Sequence, residues 1–336
     1  MLVLGIESSC DETAAAVVRS GDCLLSNVIA SQIATHERYG GVVPELASRK
    51  HAEAIGPVII QAMEEAQVTW DDLSGIAVTR GPGLIGSLLV GLSVAKALAL
   101  ARNLPFVGVN HLESHIAAIF LGDCKPEFPF AALVVSGGHT AIYHVQDFGN
   151  LRIIGQTRDD AAGEAFDKAG KMLGIGYPGG IVIDRLAKKG DKRAFSFPRA
   201  MRESLDFSFS GVKTALLAVL KKRGTAFDAE ELADLVASYQ EAIVDVLVEK
   251  TLRAAEISGL KRIVVCGGVA SNSRLREKFY EEAVGQGKEL FIPPPILCSD
   301  NAGMVAVLGA RLLKKGCSDS WSLNAVSRWP HAKEAP

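Results

Sequence analysis

The sequence has no Cys-x-x-Cys pair, no Gly-Lys-Ser/Thr phosphate loop and no His-Glu-x-x-His helix. Each absence removes a class of function. Six cysteines (Cys10, Cys23, Cys124, Cys266, Cys298, Cys317) are scattered without the tight spacing of a disulfide scaffold, so the chain reads as a reduced, cytoplasmic protein. Without a Walker-type lysine it is not expected to be a P-loop ATPase. No basic region precedes the apolar start MLVLGIESSCDET, which is expected to be a first strand and not a secretion signal. Low-complexity tracts, heptads and long linkers are absent, so a disordered tail is expected only at the last few residues. The formal net charge of −2 excludes a general nucleic-acid-binding field and leaves room for local basic patches.

What is present is a chain of 336 residues, long enough for two domains, with 48% hydrophobic residues, 22% charged residues and 33 glycines. The longest apolar stretch, Leu84–Ala101, contains Lys96 and many small residues and fits a buried helix better than a membrane span. Residues 2–7 form an apolar strand, Ser8, Ser9, Asp11 and Glu12 a polar turn, and Ala14–Val18 a second strand. Later the design returns as Ala131–Val135, the turn Ser136-Gly137-Gly138-His139 and Thr140–Val145, which predicts a duplicated domain. Between the hairpins lie a helix over about Leu46–Ala66, strands at Gly75–Thr79 and Phe106–Val109, and the helix from Leu84. The alternation predicts an α/β architecture with ligands at the carboxyl ends of strands.

The stretch VGVNHLESHIAAIF (Val107–Phe120) turns from strand to helix and places His111 and His115 on one helical face, a metal-ligand spacing. Two unrelated histidines would give the same pattern. The zinc-peptidase comparison fails on one residue: Leu112 stands where the general-base glutamate should be, and Glu113 lies about 200° around the helix from His111. GPGLIG (residues 81–86) matches Gly-x-Gly-x-x-Gly, yet no acid follows about 20 residues on to hold a ribose, so it reads as a tight strand-to-helix turn.

In the second half, Ala162–Leu173 is expected to be helical and Gly174–Gly180 a loop whose backbone amides can approach an anion. Asp167 and Asp184 flank it, suited to hydroxyls or amines, although exposed helix residues are the commoner outcome. Lys188, Lys189, Lys192, Arg193, Arg199 and Arg202 concentrate positive charge in an expected loop, with a second cluster at Lys221, Lys222 and Arg223. Such runs are usually solvated and could also grip a nucleic-acid backbone. Lys261–Cys266 predicts a strand, after which Ser271 or Asn272 could cap a helix or present its N-terminus to a nucleotide. Asp300, before the last apolar helix, reads as an N-cap on spacing alone.

GIESSCDETAAAVV, NHLESHIAA, LVVSGGHT, GEAFDKAGKMLGIGYPGG, FSFSGVKTAL, VCGGVASNSRLR and PPPILCSDNAGM occur in that order. Together they resemble the bacterial tRNA N6-adenosine threonylcarbamoyltransferases, long called O-sialoglycoprotein endopeptidases, over nearly the whole chain. The resemblance implies the duplicated actin, Hsp70 and sugar-kinase fold (ASKHA), an α/β class with two lobes and a central cleft. The first lobe would run from 1 to 127, completed by a C-terminal helix at about 300–327, and the second from 128 to 299. By similarity His111, His115 and Asp300 would hold one divalent metal, Fe(2+) by preference or Zn(2+). Val134, Val135, Ser136, Gly137, Gly138, Asp167, Gly180, Asp184 and Asn272 would bind threonylcarbamoyl-AMP. Asp11 and Glu12 are the candidate bases, and His139 could position donor or metal. The implied acceptor is tRNA, at the adenosine next to the anticodon in tRNAs reading codons that begin with adenine. The implied partners are a metal-free paralogous subunit of the same fold and a small P-loop ATPase, with no membrane. Metallopeptidase, ATPase of the same fold and structural partner protein are the alternatives.

Overall fold

The computed structural model describes residues 1–224 and 226–329; the tail expected at the last few residues lies outside this range. The chain divides into two compact units, Met1–Lys125 with Ser299–Pro336, and Pro126–Cys298.

In the first unit, β1 (Leu2–Glu7) pairs antiparallel with β2 (Glu12–Arg19), and β2 with β3 (Cys23–Ser31). β4 (Gly75–Gly81) and β5 (Phe106–Asn110) extend the sheet in parallel, in the order β3-β2-β1-β4-β5. Helices Pro44–Ala66 and Ala302–Lys314 both pack against β2, so this interior strand is buried on both faces and reads as a continuous apolar run. Small residues allow the close approach. A Cβ on Gly5 would lie 2.4 Å from the Ala302 carbonyl oxygen, and one on Gly309 would lie 2.1 Å from Cβ of Ala77. The last helix is therefore pressed onto the sheet, and it ends at Lys314, short of the expected 327.

Helix Ile85–Arg102 is apolar and long enough to cross a membrane by length and composition alone. Leu88, Leu92, Ala95 and Ala99 instead enter the core around Leu4, Ile6, Ile76 and Phe106. Lys96 donates to the carbonyls of Trp321 and Leu323, tying the segment after Lys314 to this helix.

The second unit repeats the plan. β6 (Phe130–Val135), β7 (Thr140–Asp147) and β8 (Asn150–Gln156) form an antiparallel meander, and β9 (Arg262–Cys266) and β10 (Glu289–Phe291) add in parallel to the β6 side. The order β10-β9-β6-β7-β8 is that of the first sheet read from its other edge. Between β8 and β9 come helices Ala162–Leu173, Gly179–Ala187, Ser210–Arg223 and Ala229–Ile257, and Ser273–Gly285 precedes β10. The glycine loop is shorter than expected, because its last two glycines open helix Gly179–Ala187. Phe166 and Phe197 pack edge-on against Tyr239, whose hydroxyl donates to the Ala165 carbonyl at 2.9 Å.

Candidate metal centre and glycine turns

Asn110 decides where the histidine helix starts. At the end of β5 its side-chain oxygen accepts the Leu112 and Glu113 amides at 2.8 and 3.2 Å, capping helix His111–Ala117. His111 and His115 then share one face, with ring centroids 4.7 Å apart. Asp300 arrives from the loop before helix Ala302–Lys314. The cap there is Asn301, which accepts the Met304 amide at 3.0 Å, so the reading of Asp300 as N-cap is off by one residue. Asp300 Oδ1 lies 3.6 Å from Nε2 of His111 and 3.1 Å from Nε2 of His115. One ligand atom from each of the three residues falls within 4.8 Å of the others, and Glu113 is not in the group.

This donor set fits a divalent cation. Neither nitrogen of the fully buried His115 makes a hydrogen bond, despite the short approach to Asp300. A buried imidazole left so is costly unless something else uses its lone pair. Burial lowers the pKa of His111, but the Asp300 and Glu7 carboxylates and the hydrogen bond to Glu7 outweigh it and raise it to about 9.

The turn after β1 is clamped from several sides. The Ser9 carbonyl accepts the Leu84 amide at 2.8 Å, and a Cβ on Gly83 would lie 2.6 Å from that same oxygen. The glycines of GPGLIG thus serve a close backbone contact with the first turn. Asp11 O accepts the Gln32 amide at 2.9 Å, and His51 links Thr13 Oγ1 at 2.8 Å to the Cys10 carbonyl at 3.0 Å. Burial, then the charges of Asp11 and Asp300, push the Glu12 carboxyl far up from its ordinary value. Burial and the same two acids push the Cys10 thiol up, which disqualifies it as a thiolate. Of the two residues beside His111, Glu7 was not singled out from the sequence and Ser9 was named only as part of the polar turn; the one signal for Glu7 was an acid closing an apolar strand.

In the second unit, the turn after β6 is closed by backbone: the Ser136 amide donates to the His139 carbonyl at 2.8 Å, and the His139 amide to Ser136 Oγ at 3.2 Å. Gly137 and Gly138 are exposed, and a Cβ on either would meet nothing within 4 Å. Val134 and Val135 are fully buried, backbone included. Asp167 accepts the Gly179 amide at 2.8 Å, and Gly180 packs beside Phe166. Asp184 accepts from the amide and hydroxyl of Ser273, while Asn272 caps that helix through Leu275 N and donates to Gln240. Neither aspartate is a bare surface residue; each fastens one segment to another.

The basic run is partly neutralised. Arg199 pairs with Asp245 at 2.6 Å, Lys192 lies 4.0 Å from Glu241, and Arg223 pairs with Glu231.

A family model described as tRNA N6-adenosine threonylcarbamoyltransferase matches residues 23–307. The chain belongs to this family. A relative of that name from Syntrophus aciditrophicus (strain SB) is 69% identical over 330 residues, covering 98% of both chains. One from Geobacter metallireducens is 57% identical over 332 residues, covering 98% of this chain and 97% of its own. Among solved structures, full-length HypF in its phosphate- and nucleotide-bound form aligns with a TM-score of 0.62 at 14% identity, over 93% of this chain and 56% of that one. Component A of (R)-2-hydroxyglutaryl-CoA dehydratase from Acidaminococcus fermentans aligns with a TM-score of 0.53 at 16% identity, over 93% and 98%. At such identities the structural likeness speaks for the fold alone, the duplicated actin, Hsp70 and sugar-kinase architecture.

Proposed function

We infer that the protein is a tRNA N6-adenosine threonylcarbamoyltransferase, moving a threonylcarbamoyl group onto the exocyclic amine of an adenosine in tRNA. Membership of that family over nearly the whole chain carries this reading. In finer terms, the donor is threonylcarbamoyl-AMP and the acceptor is the adenosine next to the anticodon in tRNAs reading codons that begin with adenine.

The adenine amine is a weak nucleophile because its lone pair is delocalised into the ring. Attack on the carbamoyl carbon breaks the bond to the phosphate oxygen, AMP leaves and the amine loses a proton. His111, His115 and Asp300 would hold the metal, and two imidazoles with one carboxylate favour Fe(2+), with Zn(2+) next. When bound, the ion supplies Lewis-acid polarisation of the donor's carbonyl and a template for it. Exposed Gly137 and Gly138, beside Ser136, let a donor phosphate or carboxylate approach the backbone closely, with Val134 and Val135 buried in the strand that carries the turn. Asp167, Gly180, Asp184 and Asn272 shape the same pocket, and His139 orients the donor at the turn. Asp11 and Glu12, neighbouring acids at the first turn, are the candidate acceptors for that proton.

A net charge of −2 is unhelpful for gripping tRNA phosphates and calls for partners, which the family resemblance supplies as a metal-free subunit of the same fold and a small P-loop ATPase, acting on tRNA in the cytoplasm. Nothing favours a peptidase, since Leu112 occupies the place of its general base.

The test is transfer of labelled threonine from threonylcarbamoyl-adenylate to unmodified tRNA by purified protein and partners, with wild type beside His111→Ala. Labelling by wild type alone supports both the transferase and its metal centre. No labelling by a wild type that binds metal and ATP returns the ATPase and peptidase readings.

A further inference from the structure

Glu7 ends β1 with no solvent exposure, and a carboxylate placed there requires partners. It has three. Oε1 accepts the Ser9 amide at 2.6 Å, Oε2 accepts the Thr79 hydroxyl at 2.7 Å, and Oε2 lies 3.1 Å from Nδ1 of His111. Ser9 Oγ stands 3.2 Å from the same nitrogen. On the other edge of the ring, Nε2 faces Asp300.

We propose that Glu7 is a positioning residue for the metal group: it accepts the Nδ1 proton of His111 and so keeps Nε2 unprotonated and directed at the ion shared with His115 and Asp300. The inference rests on the reading of those three residues as metal ligands. An ionised carboxylate can only accept, so beside it a neutral imidazole carries its proton on Nδ1 and its lone pair on Nε2. The carboxylate is itself fixed by Thr79 on β4 and by the clamped turn at Ser9, so the ring's orientation is inherited from the sheet. His115 has no such partner on either nitrogen. Carboxylates standing behind ligating histidines fix tautomer and orientation, and their loss costs about 10–100-fold in metal affinity.

Glu7→Gln turns this logic around at nearly constant volume. The Ser9 amide can only donate and claims the new amide oxygen, which leaves the NH2 group facing Thr79 and His111. A donor opposite Nδ1 favours the tautomer protonated on Nε2, which cannot bind an ion.

Zinc affinity of the full chain is measured by competition with a chromophoric chelator, and the His111 tautomer from 15N shifts of histidine-labelled protein. Glu7→Gln is expected to bind Zn(2+) about 10–100-fold more weakly, with the His111 proton moved to Nε2 and a melting temperature showing that the protein is folded. Ser9→Ala, which removes the weaker neighbour of Nδ1, is expected to lose less than about tenfold. A folded Glu7→Gln protein with wild-type zinc affinity overturns the inference and leaves the metal reading standing. Wild type decides the matter without any variant: in the zinc-loaded chain the His111 proton should be on Nδ1, and a proton on Nε2 overturns the inference. A wild type that binds no zinc overturns it together with the metal reading.

Discussion

The two units share one strand order and one hairpin plan, and they differ in what the tip of that hairpin carries. After β1, the turn is held by Leu84, Gln32 and His51, carries Asp11 and Glu12, and is pressed by Gly83. After β6, the turn is clamped likewise, with the Gly163 amide donating to the Ser136 carbonyl at 3.2 Å, but its tip is the exposed pair Gly137 and Gly138, where an added Cβ would meet nothing. The first turn holds side-chain chemistry at a fixed place beside the metal group. The second offers backbone amides that a ligand can reach. A duplicated scaffold thus supplies two equivalent positions, and local residue choice decides what each one does.

Removing the metal group would break the comparison most severely. His111→Ala or Asp300→Ala should lower transfer by on the order of 10³-fold, the equivalent of several kcal/mol of lost charge stabilisation, checked by the labelled-threonine assay. Full activity in either variant would mean that the first unit's side chains are not the chemical half. The clamped turn comes next. Gly83→Val forces the Ser9 backbone to move, and displacement by about 1 Å should cost roughly 10²-fold in transfer, with a lower melting temperature from overpacking.

Gly137→Ala sharpens the contrast from the other side. Its Cβ meets nothing, so stability should stay within about 0.5 kcal/mol while the KM for donor rises; an unchanged KM would deny the second turn its ligand role. The smallest effect concerns the second unit's fold. Arg274, which bonds both carboxylate oxygens of Glu241 at 2.7 and 3.0 Å, and Lys278 outweigh burial and hold that carboxyl at about 2. A depressed folded-state value stabilises above the unfolded one near 4.5, and that stability fades as pH falls towards 2. After allowing for screening by water, Glu241→Gln should lose about 1 kcal/mol at pH 7 and much less at pH 2, read from urea midpoints at both pH values.

Much of the architecture was legible locally. The apolar runs at residues 2–7 and 131–135, each followed by a polar or glycine turn and a returning strand, reveal the duplication because strand pairing through a short turn is a neighbour interaction. The His111 and His115 spacing is likewise a property of one helix. Less legible were the helix starting at Gly179, hidden by glycines that also suit a loop, and the cap at Asn301 in place of Asp300. Glu7 was invisible as a partner of His111 because nothing in a strand's alternation announces which acid will be buried.

By itself, then, the sequence determined the elements, their repetition and the presence of two histidines on one face, since each depends on residues close together in the chain. Only the tertiary structure decided that Asp300 meets those histidines, that Glu7 backs one of them and that Gly83 presses on Ser9. Each of these contacts joins distant segments, and which segments meet depends on helix Ala302–Lys314 and the β4 turn docking against β1, held by close approaches at Gly5 and Gly83.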